Sequence, residues 1–311
     1  MRKNEIQGYI YILIATTLWG VSSVVAKSLF NTGLPPAELV LIRLTLATLT
    51  ILFILLAFDR KRMTISFGDL PFFLILGLVG VAGVQITYYL SISKIQIGPA
   101  VLIQYLSPVW ISLYAFLSHR ETVSMGKIAS LVLSVTGCYF VVGGYQFDLL
   151  RLNRIGIASG LVSSLFFAFY SIYGETGLRR YDPWTITLYS FGFAALPYCV
   201  FISPMKIIND GHSIQTWMAF LYIAIFSTLV PFALYFKGID RLRATRASIT
   251  ATWEPVVASS AAYLVLGEVL HPLQILGGLG VIAAVILLQI VREISAPLSS
   301  LEIRQDGEIK R

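Results

Sequence analysis

The chain has 311 residues, 57% of them hydrophobic and only 13% charged, about half the charged share of an ordinary soluble domain. Mean hydropathy is +0.79, and the apolar residues fall in repeated blocks of about 18 to 23 positions, the length that crosses a bilayer as a helix. This excludes a soluble globular protein, and the formal net charge of +7 is no nucleic-acid signal, because basic residues of polytopic membrane proteins collect in cytoplasmic loops.

In chain order, length and periodicity mark ten spans, at roughly 8–30, 36–58, 70–92, 98–117, 125–144, 155–174, 184–203, 216–237, 245–266 and 272–291. The first follows Arg2 and Lys3 and imitates a signal peptide, but its apolar run from Gly8 to Phe30 exceeds a typical h-region and further spans follow. Breakers such as "GLPPAE" and "YDPW" punctuate the short connections. Basic residues, including Arg60, Lys61, Arg62, Arg179, Arg180, Arg241 and Arg243, favour one set of connections by about three to one. This predicts both termini in the cytoplasm, with residues 292–311 as a cytoplasmic tail.

Cys138 and Cys199 lie inside apolar runs and predict no disulfide framework. His119, His212 and His271 lack ligand spacing, so neither a metal nor a cofactor is expected.

The two halves match each other at a nearly constant offset. From the third span onward it is 147 residues without a gap: Tyr88 meets Tyr235, Ala100 meets Ala247, Pro108 meets Pro255 and Glu121 meets Glu268. The first two spans match at 148, with Gly8 on Gly156 and Pro35 on Pro183. Five spans is an odd number, so the second copy is expected upside down relative to the first. The predicted fold class is an all-α polytopic membrane protein whose ten helices form two inverted five-helix repeats, residues 8–144 and 155–291. Inverted repeats of this kind characterise secondary transporters, with the substrate site near the midplane.

Each half resembles an EamA domain of the drug/metabolite transporter superfamily. The resemblance rests on "LWG" in span one, "LIRLTLATL" in span two, "SP…HRE…GKIASLVLSVTG" in spans four and five, and "EPVVASSAAYLVLGEVLHPLQILGGLGVIAA" in the second half. It implies a carrier with a central cavity between spans 1, 3, 4, 6, 8 and 9, and export of amino acids or related metabolites across the inner membrane. The second half departs from the pattern opposite Arg43, where Ser190 or Phe191 stands.

Glu254 is the sharpest candidate, because an acid at a helix centre costs about 2.5–3.5 kcal/mol on insertion scales and implies a cavity, a partner or protonation. It is expected to bind protons or a cationic group, with a structural acid shaping a kink as the alternative. Ser107 stands opposite it in the repeat. Pro108 and Pro255 each remove a backbone hydrogen bond at mid-membrane and are expected hinges. Arg43 is expected to meet a substrate carboxylate, an acid of the bundle or helix-end carbonyls. Lys27 and Glu175, matched at 148, are gate candidates.

The polar and aromatic positions of the expected cavity helices complete the binding set. They are Trp19 and Ser23, Gln85 and Tyr89, Gln104 and Tyr105, Tyr170 and Tyr173, Tyr235 and Trp253, the composition of a small-molecule pocket. Tyr88 and Tyr89, about 100° apart on a helix, are not expected to face the cavity together. Tyr9, Tyr11 and Trp184 read as interfacial-belt aromatics. Small-residue stripes in spans five and ten (Gly126, Ser130, Ser134 and Cys138; Gly277, Gly280 and Ala284) let helices approach closely, within one chain or across a homodimer.

The expected function is a secondary transporter with a small-molecule substrate, embedded in lipid and coupled to protons. An uncoupled facilitator, a cationic efflux carrier and, remotely, an integral membrane enzyme are the alternatives. An enzyme of that kind needs clustered acids or histidines, whereas all seven aspartates are dispersed and no GxxxxGK[ST] loop occurs.

Overall fold

A computed structural model describes residues 3–31, 33–95, 97–119, 121, 124–146, 153–266 and 271–290. The tail 292–311 and the side chains of Ser23, Lys27 and Lys206 lie outside the described residues. Among the described residues the chain is helical throughout, without strands: α1 Lys3–Asn31, α2 Pro36–Phe58, α3 Leu70–Ile75, α4 Gly83–Lys94, α5 Ile97–Gln104, α6 Ser107–Leu117 and α7 Met125–Val141 come first. Then follow α8 Arg154–Gly177, α9 Pro183–Phe201, α10 Pro204–Asn209, α11 Ile214–Tyr222, α12 Val230–Ala251, α13 Trp253–Leu266 and α14 Pro272–Ile290. All-helical structure is what an apolar environment demands, since only a helix satisfies its own backbone there.

Among the described residues, six stretches are long and apolar enough to cross a membrane: Pro36–Phe58, Phe67–Ile92, Ala100–Leu117, Arg154–Gly177, Ile214–Ala251 and Pro272–Ile290. Met125–Val141 is apolar but shorter. Large apolar side chains such as Phe53, Phe116, Leu264 and Leu276 stand exposed around the outside, a surface that suits lipid rather than water. The protein is a polytopic membrane protein.

Two departures from regular helix recur at the offset found between the halves. A π-helix, Leu76–Ala82, joins α3 to α4, and a second, Ile223–Leu229, joins α11 to α12. A break at Tyr105–Leu106 separates α5 from α6, and one at Thr252 separates α12 from α13. Pro108 and Pro255 therefore stand in the first turns of α6 and α13 rather than within unbroken helices. A first-turn proline gives up only an N–H that has no partner inside the helix. The stretch Ile214–Ala251 also bends, at Arg243.

The small-residue stripes meet within the chain. A Cβ on Gly277 would lie 2.7 Å from the Gly137 carbonyl oxygen, and one on Gly137 would lie 2.8 Å from Val281 Cγ2, so α7 and α14 pack almost backbone to backbone. Gly277→Val is expected to destabilise the protein by about 1–3 kcal/mol through overpacking, read as a lower melting temperature in detergent. Tyr9 corrects the belt reading: it is buried, donates to the Leu288 carbonyl and accepts from Arg246. Its helix turn faces the bundle, whereas Tyr11 and Trp184 flank the Lys237 ammonium at 5.9 and 5.0 Å.

Candidate functional site

A cavity of about 170 Å³ lies between the bundle's helices, in the half that holds Lys94. A dry cavity of about 150 Å³ takes a benzene ring, so this space fits a small metabolite. The two broken helices face each other across it. From the break in span four the Tyr105 hydroxyl donates to Glu254 Oε2 at 2.6 Å. Glu254 occupies the first turn of α13. It is thus not at the centre of a continuous helix, as the sequence suggests, but at a helix start. Unpaired N–H groups and the helix dipole favour a carboxylate there and offset part of its insertion cost. Helix α1 passes close by: a Cβ on Gly20 would sit 3.0 Å from the Glu254 carbonyl oxygen.

Trp19, on the same stretch of α1, packs edge-on against Phe232 at 5.0 Å and tilted against Tyr235 at 5.6 Å. Trp19 and Ser22 both line the cavity, and the buried Trp19 Nε1 and Ser22 hydroxyl have no partner among the described residues. Two hydrogen-bonding groups one turn apart beside the cavity are therefore left unsatisfied by the described residues.

Arg43 enters from α2 and is buried. Its Nε donates to Thr228 Oγ1 at 2.8 Å, Nη1 to the Tyr89 hydroxyl at 3.1 Å and Nη2 to the Ser227 carbonyl at 3.0 Å. Among the described residues no carboxylate forms an ion pair with it. Of the three partners considered from sequence, the resting protein uses a backbone carbonyl, made accessible by the second π-helix.

The cavity brings together Trp19, Arg43, Gln85, Tyr89, Gln104, Tyr105, Ser107 and Glu254. Span two joins the wall through Arg43, beyond the six spans the resemblance implies. Tyr88 and Tyr89 both border it, contrary to expectation. Their rings stand 5.7 Å apart at 62°, and a cavity this wide accepts neighbours from both sides of a helix face. Tyr170 and Tyr235 are buried beneath it, the latter sharing a 3.0 Å hydrogen bond with Ser171. Tyr173 stacks on Phe72 and Phe169, and Trp253 donates its indole N–H to Thr17; both lie off the cavity. Ser22, Phe167, Ser227 and Phe232 line it without having been singled out. A π-helix adds a residue to its turn, so a 3.6-residue count cannot place Ser227. Ser22 follows Trp19 by one turn of α1.

The opposite end of the bundle holds only small cavities among the described residues, of about 50 and 20 Å³. Below Tyr170, Tyr235 and Phe236, all buried, Glu121 Oε2 accepts from Lys127 Nζ at 3.0 Å. Glu175 Oε2 accepts from the Ala244 N–H at 3.1 Å. Beside it Arg243 has φ 67° and ψ 164°, a region that glycine alone enters freely.

The EamA-like transporter family matches residues 6–143 and again 154–290. The threonine/homoserine exporter RhtA of Escherichia coli (strain K12) is 28% identical over 315 residues, covering 100% of this chain and 97% of that protein. The uncharacterized inner membrane transporter YicL of Salmonella typhimurium (strain LT2) is 26% identical over 290 residues, 91% of this chain and 95% of YicL. A solved crystal structure has the same fold at 16% identity, with a TM-score of 0.74 over 96% of this chain and 98% of that one. With both halves matched in this way, the chain belongs to the EamA-like transporter family.

Proposed function

We propose that the protein is a secondary transporter of the inner membrane that exports amino acids or related small metabolites by alternating access, with Glu254 as its proton-coupling group. The observation that carries this reading is the cavity itself. It joins a carboxylate and a guanidinium, Glu254 and Arg43, with Trp19 and Ser22 groups that have no partner among the described residues, open space on one side and packed aromatics on the other. Such a pair complements a zwitterion better than a purely cationic drug, whose charge Arg43 repels. The relatives' names, an exporter of threonine and homoserine and an inner membrane transporter, support the substrate class and the membrane.

Two inverted five-helix repeats, 8–144 and 155–291, with both termini cytoplasmic, are the architecture proposed with this function. Recurrence of the π-helices and of the helix breaks at one offset supports it, because half-helices meeting at mid-membrane are how such carriers build their sites. Hinge motion is assigned to the Pro108 and Pro255 breaks, and substrate contact to the cavity-lining residues. Counterflow in liposomes tests the reading. Labelled threonine should enter faster when unlabelled threonine is inside, as alternating access requires. Uptake without trans-stimulation, for threonine and for every other proteinogenic amino acid, would sink it.

A further inference from the structure

The π-helix Ile223–Leu229 is held from outside by one side chain. Arg43 Nη2 donates to the Ser227 carbonyl and Nε to Thr228 Oγ1, while the Thr228 hydroxyl donates in turn to the Ile223 carbonyl, five residues back, at 2.9 Å. A π-turn interrupts the regular ladder of the helix, so these contacts fix its register. The matching π-helix Leu76–Ala82 forms without them. Gly80 and Val81 stand at the places of Ser227 and Thr228, and Ser190 or Phe191 at that of Arg43. The clamp is therefore not what a π-helix in this fold needs in order to exist.

Arg43 also borders the cavity. Three of its donors are engaged, one N–H on each terminal nitrogen remains, and it forms no ion pair with a carboxylate among the described residues. A guanidinium buried in this way is complementary to a planar carboxylate, which it meets with two parallel hydrogen bonds. One of the two edges that present such a fork, Nε with Nη2, is the edge now given to Thr228 and Ser227, so a carboxylate bound on that edge replaces both contacts.

We propose that Arg43 is shared between the π-helix and the ligand: a carboxylate of the transported molecule takes the guanidinium, and the π-helix loses its clamp. Filling the cavity then frees the register of Ile223–Leu229, the junction between α11 and α12. The ligand half of this inference rests on the reading of the cavity as a transport site; the clamp does not.

Hydrogen–deuterium exchange of amides 223–232 in the full-length protein in nanodiscs tests both halves. Threonine should speed exchange there about tenfold, the scale of a lost hydrogen bond to a charged group. Its decarboxylated analogue 1-amino-2-propanol should not. Arg43→Lys and, as a gentler variant, Thr228→Val should exchange fast without any ligand and respond no further to threonine. Slow exchange in both ligand-free variants would overturn the clamp. Equal responses to threonine and 1-amino-2-propanol, or none to either, would overturn the sharing. Counterflow is a separate measurement, so failure of the transport reading is seen independently.

Discussion

Glu254→Gln in proteoliposomes is expected to retain threonine counterflow and to lose all acceleration of export by a proton gradient. Glutamine has the shape of the protonated acid and still offers Tyr105 a carbonyl oxygen in place of Oε2, so the cavity keeps its geometry while the one carboxylate among its described lining residues becomes fixed in the neutral form. In the proposed cycle a proton from an acid exterior neutralises Glu254, crosses with the return step and leaves on the other side. An acid exterior should therefore speed export by the native protein and an alkaline exterior slow it. One unit of pH difference supplies about 1.4 kcal/mol per proton, a factor of about ten in accumulation for one proton per substrate. The variant should show a factor of about one under the same gradient. An undiminished pH response in Glu254→Gln would leave Glu254 as an acid that serves the start of α13, and the protein as a carrier coupled elsewhere.

The helices were legible because an apolar run of membrane length has few alternatives to a single helix. The span read at 36–58 coincides with α2, Pro36–Phe58. Turns and breaks were not legible. One extra residue in a turn leaves hydropathy unchanged, so Leu76–Ala82 and Ile223–Leu229 were invisible, and with them the carbonyl that Arg43 binds. Pro255 was read as a kink inside a helix when it begins one, and the same error displaced Glu254 from a helix start to a helix centre. At the site, Glu254 and Arg43 stood out as charges inside apolar runs, and Tyr105 as a polar aromatic on an expected cavity helix. Tyr170 and Tyr235 looked equally suitable, yet face one layer beneath the cavity. Rotation about a helix axis separates them from Tyr89, and rotation is set by packing partners such as Ser171 and Phe232 that no single sequence reveals.

At the more tightly packed end of the bundle, Glu175→Ala is expected to open the structure, by about ten- to a hundredfold in population. Glu175, on α8, accepts the N–H of Ala244, where helix resumes after Arg243. The left-handed backbone of Arg243 costs about 1–3 kcal/mol and persists only while its surroundings hold it. A hydrogen bond to a charged acceptor contributes about 1.5–3 kcal/mol, so the cap and the strain are of similar size. Removing the cap takes away one of the contacts that oppose the strain. The Ser112 hydroxyl is buried, without a partner among the described residues, on a residue lining a small cavity beside Glu121 and Lys127, and it reports the change. In protein whose two native cysteines are replaced by serine, Ser112→Cys should react with a maleimide about tenfold or more faster when Glu175 is alanine. Glu175→Gln, which keeps a carbonyl for Ala244, should stay near the native rate. If all three proteins react alike, the end is held shut by Tyr170, Tyr235 and Phe236 alone, and Glu175 has no part in the gate.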